Sequence, residues 1–301
     1  MNATMSPDVK HYPVMLNQLL SILTPQHGGT FIDCTFGGGG YSKAILSYPN
    51  TKVIAIDRDK KVSLLAEKIK KKFPKRFKFI NNKFSSLDQI KDLKIRPKGI
   101  IFDLGFSTHQ IKDHKRGFSF DSSGPLDMRM GKNEISAFDV VNNFTEDSLA
   151  LIFKKLGEEK DSKKIAKEIV FKRKDNQIIY ANDLAKIISR VKKNYFHSRT
   201  NPATKVFQAL RMFVNKEVTE LINGLVSATK LLEKNGKIVV VSFHSIEDQI
   251  TKKYFKTYSN LNSNPSRYVP SEKKNNSKAL FLLKSNSPLI PTEQEIIKNR
   301  A

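Results

Sequence analysis

Four short apolar runs, at residues 31–34, 53–56, 77–80 and 99–103, recur between turns within the first third of the chain. Runs of that length read as strands. Between the second and third, Val62, Leu65, Ala66 and Ile69 share one helical face while Lys68, Lys70, Lys71 and Lys72 occupy the others. Strands joined by such crossover helices form a parallel sheet, so the spacing predicts an α/β fold. The alternation stops after Asp103 and resumes only at 237–243, in NGKIVVVSFHS. The intervening stretch carries helical patterns at 149–156, 165–171 and 184–191, which predicts a mainly helical insertion between two strands of one sheet. One long helical pattern over 207–232 leads into the fifth strand, and residues 245–248 open another helix with Ile246, Ile250 and Tyr254 on one face. Residues 259–278, rich in Asn, Ser and Lys, read as a loop, and 279–283 as one more strand. The expected domains are residues 1–110 with 205–301, carrying the sheet, and the insertion 111–204.

Composition narrows the partners. Basic side chains outnumber acidic ones 53 to 29, a net charge of +24 whose field attracts a polyanion, nucleic acid ahead of an anionic membrane surface. A lysine bias set by codon usage would give the same sign, so charge alone fixes no partner. The excess is concentrated in the insertion, where residues 153–205 hold 15 Lys or Arg against 6 Asp or Glu. A single cysteine, Cys34, excludes an internal disulfide framework and a cysteine-built zinc site. No apolar run approaches the roughly 20 residues of a membrane span, and the N-terminal stretch does not resemble a signal peptide, so a cytoplasmic protein without a membrane partner is expected.

The chemistry is expected where strands end. FIDCTFGGGGYS, residues 31–42, sets four glycines directly after a strand and before a helical segment. Glycine lets the backbone turn sharply and approach a ligand closely. Ser42 stands where a dinucleotide fingerprint has its third glycine, which weakens a nicotinamide reading. Asp57 ends the second strand, twenty positions after Gly37, where an acidic residue can accept ribose hydroxyls or start a helix. Together they point to an adenosine-containing cofactor. Asp103 ends the fourth strand, at the edge where open parallel sheets bind ligands. The polar stretch RGFSFDSSGPLDMRM follows, with Arg116, Asp127 and Arg129; it reads either as a loop held by Arg–Asp pairs or as the mouth of a site. His244 is either a base or a structurally bonded histidine.

HYPVMLNQLL, FIDCTFGGGGYS, AIDRD, FDLGFSTHQ, RGFSFDSSGPLDMRM, GEEKDSKKIAKEI, PATKVFQALRMFVNKE and VSFHSIEDQI occur in order from about residue 11 to 256. Together they resemble the bacterial 16S ribosomal RNA cytosine-N4 methyltransferases, the MraW type. The resemblance implies a Rossmann-like class I methyltransferase sheet with an inserted, mainly helical domain for recognising RNA. It implies S-adenosyl-L-methionine as cofactor, no metal, and methylation of a decoding-region cytidine of the small ribosomal subunit. Cofactor contacts would fall on Gly39, Gly40, Tyr41, Asp57, Phe84, Asp103 and Gln110. Tyr41 stands where the family usually has histidine, and Thr108-His109 where it has Ser-Pro. Asp103 either orients the target amine or binds the methionyl end of the cofactor. Arg116, Arg129, Lys163, Lys164 and Lys167 are the expected phosphate contacts. Relatives usually continue past EIIKNRA to a final strand, so the last sheet edge is expected to be exposed or covered by another segment.

Overall fold

The computed structural model describes residues 13–90, 95–105, 113–131, 133, 135–192, 200–259, 279–285 and 287–298. Five strands form one parallel sheet: β1 (Gly29–Asp33), β2 (Thr51–Asp57), β3 (Phe77–Asn81), β4 (Gly99–Asp103) and β5 (Lys237–Val241), in the order β3-β2-β1-β4-β5. This is the Rossmann-like class I methyltransferase sheet. The strand order reverses direction between β1 and β4, which pair in register Phe31↔Gly99 to Asp33↔Ile101. A crevice opens at the carboxyl ends of strands at such a switch point, so Asp33 and Asp103 stand where a ligand would bind.

Alternating side chains explain why these runs pair. Ile32, Ile54, Ile56, Ile100 and Phe102 are buried in one cluster with Leu221, Leu225 and Ala228 of α9 (Glu217–Leu231). A Cβ on Gly99 would meet the Leu23 side chain at 2.7 Å and Phe31 at 2.9 Å, so α1 (Leu16–Leu23) packs directly on the strands. The helices α2 (Gly40–Leu46) and α3 (Ser63–Lys72) follow β1 and β2, and α10 (Ser245–Tyr258) follows β5. Residues 279–283 are not a strand. The Leu280 and Phe281 amides both donate to the Tyr258 carbonyl, ending α10, and the Phe281 ring meets Phe255 edge-on at 5.3 Å. Among the described residues no strand lies beyond β5. A short helix, α11 (Glu293–Lys298), follows, and Gln18 of α1 donates to Glu295 at 2.8 Å. No helix among the described residues is long and apolar enough to cross a membrane.

Contacts divide the chain into two compact units, residues 1–56 with 66–105 and 221–301, and residues 57–65 with 106–220. The second holds α4 (Ala137–Asn143), α5 (Glu146–Leu156), α6 (Ser162–Lys172), α7 (Ala181–Val191) and α8 (Thr204–Val214). Leu149, Phe153, Ile165, Ile169, Leu184, Ile188, Val206 and Leu210 interlock in its core, the helical spacing that the sequence shows. The single helix expected over 207–232 is instead two, α8 and α9, broken at Asn215 and Lys216 (φ 52°). Asn215 is fully buried and spends its side chain elsewhere. Its amide donates to the carbonyls of Met128 (2.8 Å) and Arg211 (2.9 Å), and its oxygen accepts from Met130 N–H and Asn133, both at 2.8 Å.

The same unit buries an ion pair, Lys192 to Glu159 at 2.7 Å, with side chains 3% and 1% exposed. Removing one partner strands the other charge in a dry site. Glu159→Ala should therefore cost about 3–5 kcal/mol in urea denaturation, whereas a Glu159→Met/Lys192→Met double variant should regain most of it. Equal loss in both variants would mean that packing, not charge, sets the cost.

Candidate active site

β1 ends in a buried carboxylate. Asp33 is 1% exposed; its Oδ2 accepts from the Ser42 hydroxyl at 2.6 Å and its Oδ1 from the Thr35 amide at 3.3 Å. These bonds bridge the glycine turn, fixing the start of α2 against the end of β1. Within the turn Gly39 has φ +69°, and a Cβ there would lie 2.8 Å from both Ile69 and Phe36. Gly40 is pressed against the Pro13 ring. Both are glycines because the protein itself crowds them. Gly38 differs: a Cβ there would meet nothing within 4 Å, so its backbone faces open space that a ligand can approach.

Asp103 ends β4 beside this turn. Its amide donates to Thr35 Oγ1 at 2.7 Å, tying the ends of β1 and β4 together. Its Oδ1 is buried without a hydrogen-bond partner among the described residues. Burial, then the charges of Asp33 and Glu247, push the carboxyl up to about 8. A cationic ligand group would supply the missing counter-charge, so the site fits a cofactor carrying an ammonium or a sulfonium. Tyr41 is also buried, and its hydroxyl donates to the Val14 carbonyl at 2.5 Å. Burial, then Asp103, Asp33 and Glu295, push the phenol well above its ordinary value, so it remains a neutral donor. Phe84 packs edge-on against Phe102 at 5.4 Å, and its ring crowds the position of a Cβ on Gly224 at 2.6 Å.

His244 is the N-cap of α10. Its Nδ1 accepts from the Glu247 amide at 3.5 Å and its Nε2 stands 3.2 Å from Glu247 Oε1, while Glu247 Oε2 accepts the Phe243 amide at 3.1 Å. The observed bonds give this histidine a capping role.

In the second unit Asp57, the last residue of β2, accepts the Asp59 amide at 2.8 Å. Arg116 is committed internally: it donates to Asp59 Oδ2 and to the Arg129 carbonyl, both at 2.5 Å, and lies over the Phe118 ring. Little of it remains to hold a phosphate. Arg129 forms a bidentate pair with Asp127, at 2.7 and 3.0 Å, and keeps more of its side chain in solvent. The Arg–Asp pairs that the sequence offered as one reading of this loop are thus present. Arg58 donates to the Asn215 carbonyl (3.0 Å) and to Asn133 (3.1 Å). Lys163, Lys164 and Lys167 are exposed on α6, Lys164 at 3.6 Å from Asp161. Gln110 lies outside the described residues. Asp33, Thr35, Arg58 and Asn215 escaped notice in the sequence, although an aspartate within the apolar run FIDC is a signal for the first.

The family model of the MraW methylases matches residues 8–301. The chain is 47% identical over 251 residues to a ribosomal RNA small subunit methyltransferase H of Ehrlichia canis (strain Jake), covering 82% of this chain and 84% of that protein. It is 42% identical over 287 residues to the protein of the same name from Rickettsia massiliae (strain Mtu5), covering 95% and 92%. Among solved structures, a putative methyltransferase, YhhF, from Escherichia coli aligns with a TM-score of 0.26 and 17% identity, over 32% of this chain and 59% of that one.

The raised Asp103 carboxyl has a consequence for stability. It stays protonated in the folded chain up to about pH 8 but ionises near 3.8 when unfolded. Stability is therefore greatest below the unfolded value and falls as pH rises through the folded one. Asp103→Asn should raise the melting temperature of the ligand-free protein by several degrees at pH 8.5 and by less at pH 5. A shift independent of pH would contradict a raised carboxyl.

Proposed function

This chain belongs to the MraW methylase family, and from that premise we propose that it methylates 16S ribosomal RNA in the cytoplasm, at N4 of cytidine 1402. The observation that carries the reading is the buried, unpartnered Asp103 Oδ1 at the β1–β4 switch point. S-adenosyl-L-methionine, when bound, supplies an electrophilic methyl group on a cationic sulfur. The open space at Gly38 gives it room beside the backbone of Gly39 and Gly40, Asp57 accepts its ribose hydroxyls, and Phe84, Tyr41 and Gln110 complete the contacts. Tyr41 acts here as a wall of the site, its hydroxyl being spent on Val14.

Methylation at N4 would release one proton from that amine, which a group of this chain has to accept. The cytosine amine is a weak nucleophile because its lone pair is delocalised into the ring. An acceptor bonded to its hydrogens localises that pair; a cationic cofactor beside the Asp103 carboxyl would lower its raised pKa and leave a carboxylate able to take the proton. Asp103 is that acceptor in our reading; its alternative role is to hold the methionyl ammonium. Alignment and exclusion of water supply the remainder, and no metal is required. The base must leave its stack to reach this edge. We assign recognition of the surrounding RNA to the helical insertion, 111–204, with exposed lysines of α6 among its phosphate contacts.

Loss of N4-methylcytidine from the small-subunit RNA of a deletion strain, read by mass spectrometry and restored by the wild-type chain, tests the function. Asp57→Ala should weaken cofactor binding about 10- to 100-fold in calorimetry, the loss of charged acceptors to two hydroxyls. Asp103→Asn should slow single-turnover methyl transfer at saturating cofactor at least 100-fold. Affinity kept with transfer lost assigns Asp103 to the amine, affinity lost as well assigns it to the cofactor, and normal turnover removes it from the site.

A further inference from the structure

Phe243 stands two residues past the end of β5, on the side of Asp103 away from the glycine turn: the strand order puts β1 on one side of β4 and β5 on the other. Asp103 and Val241 are register partners, and the Leu104 amide donates to the Val241 carbonyl at 2.9 Å, so the two strands end level. Just beyond, Gly105 turns with φ +110°, a conformation that other residues rarely adopt. A Cβ there would have three atoms of the Phe243 ring as its nearest neighbours, at 3.2 to 3.8 Å. The ring therefore lies against backbone that is two residues, and no more than about 7 Å of chain, from Asp103.

The backbone that carries this ring is held firmly. Glu247, 5% exposed, accepts the Phe243 amide on Oε2 at 3.1 Å, and the Glu247 amide in turn donates to His244 Nδ1 at 3.5 Å. The first turn of α10 thus clamps Phe243 and the residue after it. The side chain nevertheless stays 44% exposed, whereas Phe102 and Leu104 of the neighbouring segment are buried. An exposed aromatic is not unusual in itself. This one is fixed by its backbone, rests on a glycine, and stands at the carboxyl edge of the sheet beside an acceptor carboxyl. A planar group stacking on a ring held in this way costs little further ordering of the protein.

We propose that Phe243 is the stacking platform for the target base, its ring carrying the flipped cytosine while Asp103 accepts from the amine. The inference rests on the proposed function and adds to it the side from which the base enters. With the cofactor on the β1 side of Asp103, the β5 side is left for the substrate. A base drawn out of its stack loses the π contacts of its neighbours, and an aromatic side chain replaces them whatever the base. Selection then falls to Asp103: its carboxylate accepts from the amino group of cytosine but would oppose the carbonyl oxygen that uracil carries at the same position.

The test uses the full chain with isolated small ribosomal subunits that lack the modification, in single-turnover assays at saturating cofactor, beside calorimetry of cofactor binding and the melting temperature of the ligand-free protein. Phe243→Leu keeps an apolar side chain against Gly105 but has no ring. It should slow methyl transfer about 10- to 100-fold, while cofactor affinity and melting temperature stay close to those of the wild type. Phe243→Tyr, which retains the ring, should recover most of the lost rate. If the wild type methylates the subunits and Phe243→Leu matches it, or if Phe243→Tyr is as slow as Phe243→Leu, the stacking role is overturned and the proposed function stands. Transfer lost together with cofactor affinity or melting temperature would give the ring to the cofactor site or to the fold, and would equally overturn the proposal. If the wild type leaves the subunits unmethylated, the proposed function fails and the stacking role falls with it.

Discussion

A single buried carboxylate organises the sheet edge on which the chemistry depends. An aspartate at 1% exposure is costly unless its oxygens are bonded, and Asp33 meets that demand by drawing in the Thr35 amide and the Ser42 hydroxyl. The chain must therefore double back within nine residues, which is what forces glycines into the turn. Thr35, held by this bond, then accepts the Asp103 amide and aligns the end of β4 with the end of β1. The same charge reaches Asp103, where it helps to raise the second carboxyl. One polar group thus shapes the turn and adds to the effect of burial in raising its neighbour, so a substitution of Asp33 made to probe chemistry would also disturb the fold.

Asn215 plays the corresponding part in the second unit. A helix running unbroken from 204 to 231 would satisfy local propensity, but it would leave the Met128 carbonyl and the Met130 amide without this partner. Breaking the helix there lets one amide side chain make four bonds, and its carbonyl receives Arg58. The segment GPLDMRM is consequently held by buried polar bonds, and Met128 tolerates a positive φ of 57° while remaining fully buried. Networks of this kind are rigid because every member is needed to satisfy the others.

The strands and most helices were legible in the sequence because burial imposes a period, and Ile54, Ile56, Ile100 and Phe102 or Ile165, Ile169 and Leu184 carry it. Gly39 and Asp103 were legible because turns and strand ends have few chemical solutions. The helix break at Asn215 was not, since an asparagine inside an apolar pattern acquires its role from partners some 85 positions away. Residues 279–283 are a short apolar run like the strands, yet the Tyr258 carbonyl captures two of their amides. His244 was ambiguous for the same reason: only the structure shows that its ring caps a helix. Local pattern reports burial, whereas the destination of a polar side chain is decided by tertiary contacts.

This distinction also changes what the net charge means. The sequence gives the stretch 153–205 an excess of nine positive charges, but several of those cations serve the fold. Lys192 is sealed against Glu159, Arg173 donates to the Val141 carbonyl at 2.7 Å, and Lys205 donates to that of Glu158. Outside the stretch, Arg211 is buried in a bidentate pair with Glu217, both bonds at 2.9 Å. A cation paired with a buried carboxylate, as Lys192 and Arg211 are, releases no counterion when RNA arrives and adds nothing to the salt dependence of binding, whereas Arg173 and Lys205, bonded to neutral carbonyls, keep their charge. The salt slope should consequently count exposed cations such as Lys154, Lys160 and Lys163 rather than the total. Total charge draws a polyanion in, but only the part of it that no carboxylate already pairs adds to the salt dependence of binding.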